Sequence, residues 1–245
     1  MEWNGYKKEV FSIDGREGFL VFPKKFEENK RWVWRAEFFG GFDYADRALI
    51  EKGFTLAYYC ASDMFGCPEA VDAMKKFHDH VVENYGLNKK ADIFGFSRGG
   101  LYTVNYTAKY PEDVATIYLD APVLSLESWP GMFGKTKEYR NEIYLNEWEK
   151  CKKVYGFSTD EEMLSYKEIP LNKVDALIAA NIPVIIVAGD SDKTVDYTEN
   201  GEIFAREYKE KGGDIKLIVK EGVDHHPHSL EDPSPIVDFI ISHKV

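Results

Sequence analysis

A chain of 245 residues with 44% hydrophobic and 15% aromatic residues has the means to bury one sizeable core, which excludes a disordered protein and makes a single domain over residues 1–245 the default. Its 31 basic and 42 acidic side chains leave a formal charge of −11, which argues against nucleic acid or an anionic membrane as the main partner. The three cysteines, Cys60, Cys67 and Cys151, are odd in number and lack metal-ligand spacing, so reduced structural thiols are expected.

Met1 to Gly5 lack the charged start and apolar core of a secretion signal, and no apolar run approaches membrane-spanning length, so a cytoplasmic protein is the expectation. Lys7 to Ile13 and Gly18 to Phe22 alternate apolar with polar around Asp14-Gly15, the signature of a hairpin. Arg31 to Ala36 reads as a third strand. Asp43 is placed to cap a helix over Tyr44 to Glu51 that stops at Gly53, and Phe54 to Cys60 is again strand-like. Pro68 suits a first helical turn, Val71, Met74, Phe77 and Val81 form an apolar stripe, and Gly86 ends that helix. His78 and His80 fall on its polar side.

A short apolar strand from Ala91 then runs into Gly95-Phe96-Ser97-Arg98-Gly99, and Leu101 to Tyr110 behind it reads as a helix that stops at Pro111. Ala115 to Leu119 supplies another strand, ending in Asp120. The stretch before the next strand, Pro183 to Ala188, is too long for a plain crossover and rich in aromatic residues. Residues 124–181 are therefore expected to hold a crossover helix and a small helical cap. Tyr197 to Lys211 follows as a helix closed by Gly212-Gly213, Ile215 to Val219 as the last strand, and Ser234-Pro235 caps a final helix through Ile241, with a solvated His243 beyond. Alternation of this kind predicts a three-layer α/β/α sandwich around a mostly parallel eight-stranded sheet. Ligands then bind beyond the carboxyl ends of the strands.

Gly-x-Ser-x-Gly between a buried strand and a helix describes a nucleophile elbow, whose strained serine lifts its hydroxyl out of the turn. The Arg98 N–H at the helix start is aimed at negative charge developing on a substrate oxygen. A serine hydroxyl needs a base and a group to fix the base's tautomer. Gly189-Asp190-Ser191-Asp192 offers two carboxylates after one strand, and Asp224-His225-His226-Pro227-His228 offers histidines after the last.

With Ser, Asp and His in that order, the chain resembles the α/β-hydrolase-fold serine hydrolases over nearly its whole length. The Ser-x-Gly-Gly form of the elbow resembles the prolyl-oligopeptidase-like and dienelactone-hydrolase-like branch, and the large propeller that gates the peptidases of that branch has no room here. The resemblance implies Ser97 as nucleophile, Asp192 as acid through Gly189-x-x-Asp192-x-x-Val195, and His225 as base, with Asp224 standing where a glycine often precedes it. His226 is the alternative base and Asp120 the alternative acid, while Asp190 is expected to cap its own turn. It further implies a second oxyanion N–H after the third strand, from Glu37 or Ala36. The expected activity is hydrolysis of carboxylic esters with short acyl groups, acetyl groups on carbohydrate among them. A peptidase or amidase and a noncatalytic binding module are the rivals. Arg35, Phe96, Trp129 and Phe133 are the candidates for a substrate pocket, the rival being ion pairing for Arg35 and packing for the aromatics. No cofactor is expected. No metal is either, because adjacent histidines in an extended loop point apart.

Overall fold

The computed structural model describes residues 1–244. Nine strands form one sheet among these residues: β1 (Glu2–Trp3), β2 (Tyr6–Ile13), β3 (Arg16–Val21), β4 (Trp32–Arg35), β5 (Thr55–Tyr59), β6 (Ala91–Phe96), β7 (Val114–Asp120), β8 (Val184–Gly189) and β9 (Ile215–Lys220), in spatial order β1-β2-β3-β5-β4-β6-β7-β8-β9. The first three are antiparallel additions, and every pairing from β5 to β9 is parallel.

The ninth strand comes from a turn that the sequence reading passed over. Asn4 and Gly5 both adopt left-handed backbone, at φ 48° and 79°, which folds Glu2–Trp3 back onto Tyr6 and Lys7 as Asn-Gly turns do. Asp14 and Gly15, at φ 50° and 77°, close the predicted hairpin in the same way.

Eight α-helices flank the sheet among the described residues: α1 (Tyr44–Glu51), α2 (Pro68–Tyr85), α3 (Gly99–Lys109), α4 (Glu142–Tyr155), α5 (Asp160–Ser165), α6 (Val174–Ala179), α7 (Gly201–Glu210) and α8 (Ser234–Ser242). Apolar residues of α1 and α8 pack on one face with Val33, Leu56 and Phe94. The opposite face carries α2, α3, α6 and α7 in one larger cluster, which also takes in Trp148, Cys151 and Met163 from residues 124–181. All three cysteines are free thiols. None of the helices is long and apolar enough to cross a membrane.

Three local expectations are not met. Asp43 makes no cap bond and pairs instead with Arg47 at 2.8 Å. Ser234 does not cap the final helix but is its first residue, its N–H given to the Asp232 carboxylate at 3.0 Å, with Pro235 in the first turn. His78 is not solvated: it is 1% exposed, its Nε2 lies 2.7 Å from the Lys89 carbonyl, and its ring stands beside Trp32. One turn beyond Met74, it falls within the stripe that faces the sheet.

Candidate active site

Three loops at the carboxyl ends of β6, β8 and β9 converge. Ser97 sits between β6 and α3 at φ 48°, a strained conformation for a residue with a Cβ. Its N–H donates to the Asp120 carbonyl at 2.8 Å, and its carbonyl accepts from Gly100 and Val123 at 3.0 and 2.9 Å. The turn is thus held from both sides. Gly95 permits the helix to approach the strand, since a Cβ there would stand 2.8 Å from the Gly99 carbonyl oxygen.

The Ser97 hydroxyl lies 3.0 Å from His225 Nε2, and His225 Nδ1 lies 2.6 Å from Asp192 Oδ2. The second Asp192 oxygen accepts the N–H groups of Thr194 and Val195, both at 2.8 Å, so the carboxyl group is anchored through both oxygens in a nearly buried place. Asp224, which occupies the position of the missing glycine, accepts from the N–H of His225 at 2.7 Å and of Lys193 at 2.9 Å. Burial alone would raise its pKa, but these two N–H groups hold it below the usual carboxylate range. Asp190 does not cap its own turn as expected. It accepts the Gly222 N–H at 2.7 Å and so ties its loop to the next.

The two loops approach so closely at Gly189 that an added Cβ would run into the carbonyl oxygens of Val223 and Asp224. Backbone cannot yield there as a flexible side chain would. Gly189→Ala is therefore expected to cost about 1–3 kcal/mol of stability and, by shifting His225, to lower turnover by about 10². Urea unfolding and steady-state kinetics on the variant check both, and wild-type turnover in the folded variant would refute the close-approach argument.

Two backbone donors stand free beside the serine. Ala36 gives its N–H to the Phe94 carbonyl at 3.0 Å, which removes it as an oxyanion donor. The N–H groups of Arg98 and Glu37 have no protein acceptor among the described residues, and Glu37 N lies only 3.7 Å from a Cβ position on Gly99. The buried Glu37 carboxylate accepts Arg98 Nε at 2.9 Å. Burial raises the Glu37 pKa, against the pull of Arg98.

The four pocket candidates lie elsewhere. Arg35 is wholly buried, bonded to Asp46 at 2.9 and 2.8 Å and to the Gly41 carbonyl at 3.0 Å, with its guanidinium 3.8 Å from the Phe96 ring centroid. Phe96 is enclosed by Arg35, Tyr118 and His228. An inward side chain at a central strand end has nowhere else to go. Trp129 stacks on Phe65, and Phe133 lies between Trp148 and Arg140. Both pack residues 124–181 onto the core.

Sequence reasoning missed the cavity of about 630 Å³ next to the elbow, between Arg98, Ser62, Phe65 and the α4 residues Glu147, Lys150 and Val154. The three- and four-residue spacing of those α4 positions was its only signal. Another cavity, of about 440 Å³, opens at the far end of α3 beside Asn105 and Lys109. The expectation that the histidines point apart also fails. The rings of His225, His226 and His228 have centroids 4.7 to 5.0 Å apart, because Asp120 takes both His228 Nδ1 (2.7 Å) and the Ser229 N–H (2.8 Å) and curls the loop back. Asp120 is therefore the partner of His228 and not of His225.

A sheet of this order with strand-end loops joined in this manner agrees with a family profile described as alpha/beta hydrolase fold, which matches residues 39–153. The protein has the α/β-hydrolase fold. Solved structures share it at low identity. Est1E from Butyrivibrio proteoclasticus is 17% identical at a TM-score of 0.63, covering 96% of this chain and 98% of its own. An esterase from Pyrococcus furiosus is 15% identical at 0.62, covering 97% and 92%. A puromycin-hydrolyzing peptidase from Mycobacterium tuberculosis is 15% identical at 0.71, covering 96% of this chain but 38% of its own. The chain thus spans little more than a third of that peptidase and nearly the whole of Est1E and of the Pyrococcus furiosus esterase. No curated protein sequence matches it.

Proposed function

We propose that this α/β-hydrolase-fold protein is a serine hydrolase that cleaves carboxylic esters of short acyl groups through an acyl-enzyme. The observation that carries the reading is the unbroken chain from Ser97 Oγ to His225 Nε2 (3.0 Å) and from His225 Nδ1 to Asp192 (2.6 Å). Ser97 attacks the ester carbonyl carbon while its proton passes to His225 Nε2, and Asp192 holds the imidazolium that forms. The oxyanion is met by the N–H groups of Arg98 and Glu37, which have no competing protein acceptor. Collapse of the tetrahedral species expels the alcohol with the proton from His225. Water then repeats the sequence and frees the acid. No cofactor enters any step.

The strain at Ser97 supports catalysis over a noncatalytic binding module, which gains nothing from a serine held in left-handed backbone. The near-equal length of the Pyrococcus furiosus esterase supports an ester over a peptide substrate. Acetyl groups on carbohydrate remain within the class, but the aromatic residues expected to stack on a sugar pack into the core, so acyl length is the property to measure. Fluorophosphonate labelling is expected at Ser97, with kcat/KM higher for p-nitrophenyl acetate and butyrate than for octanoate. Labelling together with turnover of aminoacyl p-nitroanilides alone would replace the ester reading by a peptidase. A folded protein that neither labels nor turns over any of these would be a binding module.

A further inference from the structure

His228 is an imidazole that the proposed hydrolysis does not use, yet it is held with care. Its Nδ1 faces Asp120 Oδ1 at 2.7 Å, and the other Asp120 oxygen accepts the Tyr118 hydroxyl and the Ser229 N–H at 2.5 and 2.8 Å. This leaves Nε2 as the free nitrogen. A carboxylate that fixes one ring nitrogen and raises the basicity of the other is the common support of a metal-ligating histidine.

Beside it, His226 is exposed, has no hydrogen bond from either nitrogen among the described residues, and stacks on Phe42 with centroids 5.7 Å apart. One ligand atom from each of His225, His226 and His228 lies within 4.8 Å of the other two. The comparable group of His78, Asp79 and Asp113 differs, because the Lys75 ammonium already lies between its carboxylates at 2.6 and 2.8 Å.

We propose that His225, His226 and His228 form a site for a borderline-soft divalent cation, Zn²⁺ being the fitting one, and that its occupation silences the enzyme by taking the His225 Nε2 lone pair. The silencing rests on the hydrolase reading above; the site itself does not. An all-imidazole set suits zinc, whereas magnesium and calcium require oxygen donors. Tetrahedral zinc with bonds of about 2.0–2.1 Å spaces its nitrogens about 3.4 Å apart, so the rings must draw in by at most about 1.4 Å. The ion displaces the hydrogen bond between Ser97 and His225.

The test is a Zn²⁺ titration against a chromophoric chelator at neutral pH, with wild type, His226→Gln and His228→Asn. Asn keeps an N–H for Asp120 while removing the ligating nitrogen. Each substitution is expected to weaken zinc binding about tenfold or more. Zinc should inhibit p-nitrophenyl acetate turnover with the same midpoints, EDTA should reverse it, and Mg²⁺ should have no effect. His226→Gln should keep its zinc-free turnover. Equal zinc affinity in wild type and both variants would overturn the site, and zinc bound there without loss of turnover would overturn the silencing. If the wild type hydrolyses no ester, the chelator titration still decides the site, while the silencing falls with the hydrolase reading.

Discussion

Ser97→Ala is expected to lower ester turnover by about 10⁴ to 10⁶ while leaving the protein folded. The substitution removes one hydroxyl from a turn whose geometry is set by backbone bonds: the Ser97 N–H to Asp120 and the Ser97 carbonyl to Gly100 and Val123. None of these involves the side chain, so the melting temperature should stay near that of the wild type. His225→Ala should cost about as much. Asp192→Asn should cost about 10⁴, because an amide there fixes the imidazole in the wrong tautomer. The double variant Ser97→Ala/His225→Ala should be no slower than either single one, since the two act on one proton transfer. Single-turnover and steady-state rates with p-nitrophenyl acetate decide the matter. Independent, multiplying losses, or a Ser97→Ala protein with wild-type turnover, would remove Ser97 from the chemistry.

The largest effect on stability is expected at Asp92, far from this chemistry. Asp92 is wholly buried on β6, where it meets Arg31 at 2.8 Å and accepts the Thr116 hydroxyl at 2.8 Å, while Arg31 also reaches the Ile240 carbonyl at 3.0 Å. The pair thereby fastens the C-terminal helix to the centre of the sheet. Asp92→Ala strands the Arg31 guanidinium without its counter-charge, which costs about 3–5 kcal/mol. For a chain of this size each kcal/mol lowers the melting temperature by about 2–4 °C, so calorimetry should see the change plainly.

Burial, opposed by Arg31 and Thr116, pushes the Asp92 pKa up to about 6. The folded value thus lies above the unfolded one, near 3.9. Between them the folded state binds more protons, and stability from this group is lost as the pH rises through about 6. Asp92→Asn cannot titrate. The stability of the wild type relative to Asp92→Asn should therefore fall between pH 4.5 and pH 7, and urea midpoints that show the difference growing would contradict the assignment.

The elements were legible wherever local rules act alone. Helix α1 matches its predicted span, since Tyr44 to Glu51 carries an apolar face and Gly53 follows. Asp14-Gly15 and Gly86 mark their turns because left-handed backbone selects glycine and its neighbours. The same rule applied to Asn4-Gly5 would have found β1. His78 went the other way, because its partners, the Lys89 carbonyl and Trp32, come from other elements and no local pattern encodes them.

By itself the sequence determined the α/β alternation, the strained serine turn and the three loops from which Ser97, Asp192 and His225 come. These are properties of neighbouring residues, so a short window contains their cause. Only the tertiary structure decided that Arg35 and Phe96 belong to the core and that Glu37, not Ala36, keeps a free N–H. The ladder bond from Ala36 to Phe94 and the ion pair of Arg35 with Asp46 are made across strands and helices. It likewise decided that Asp120 serves His228, 108 residues away, and so gathers three histidines that an extended loop would have held apart. Contacts of that span exist only once the sheet has brought its strand ends together.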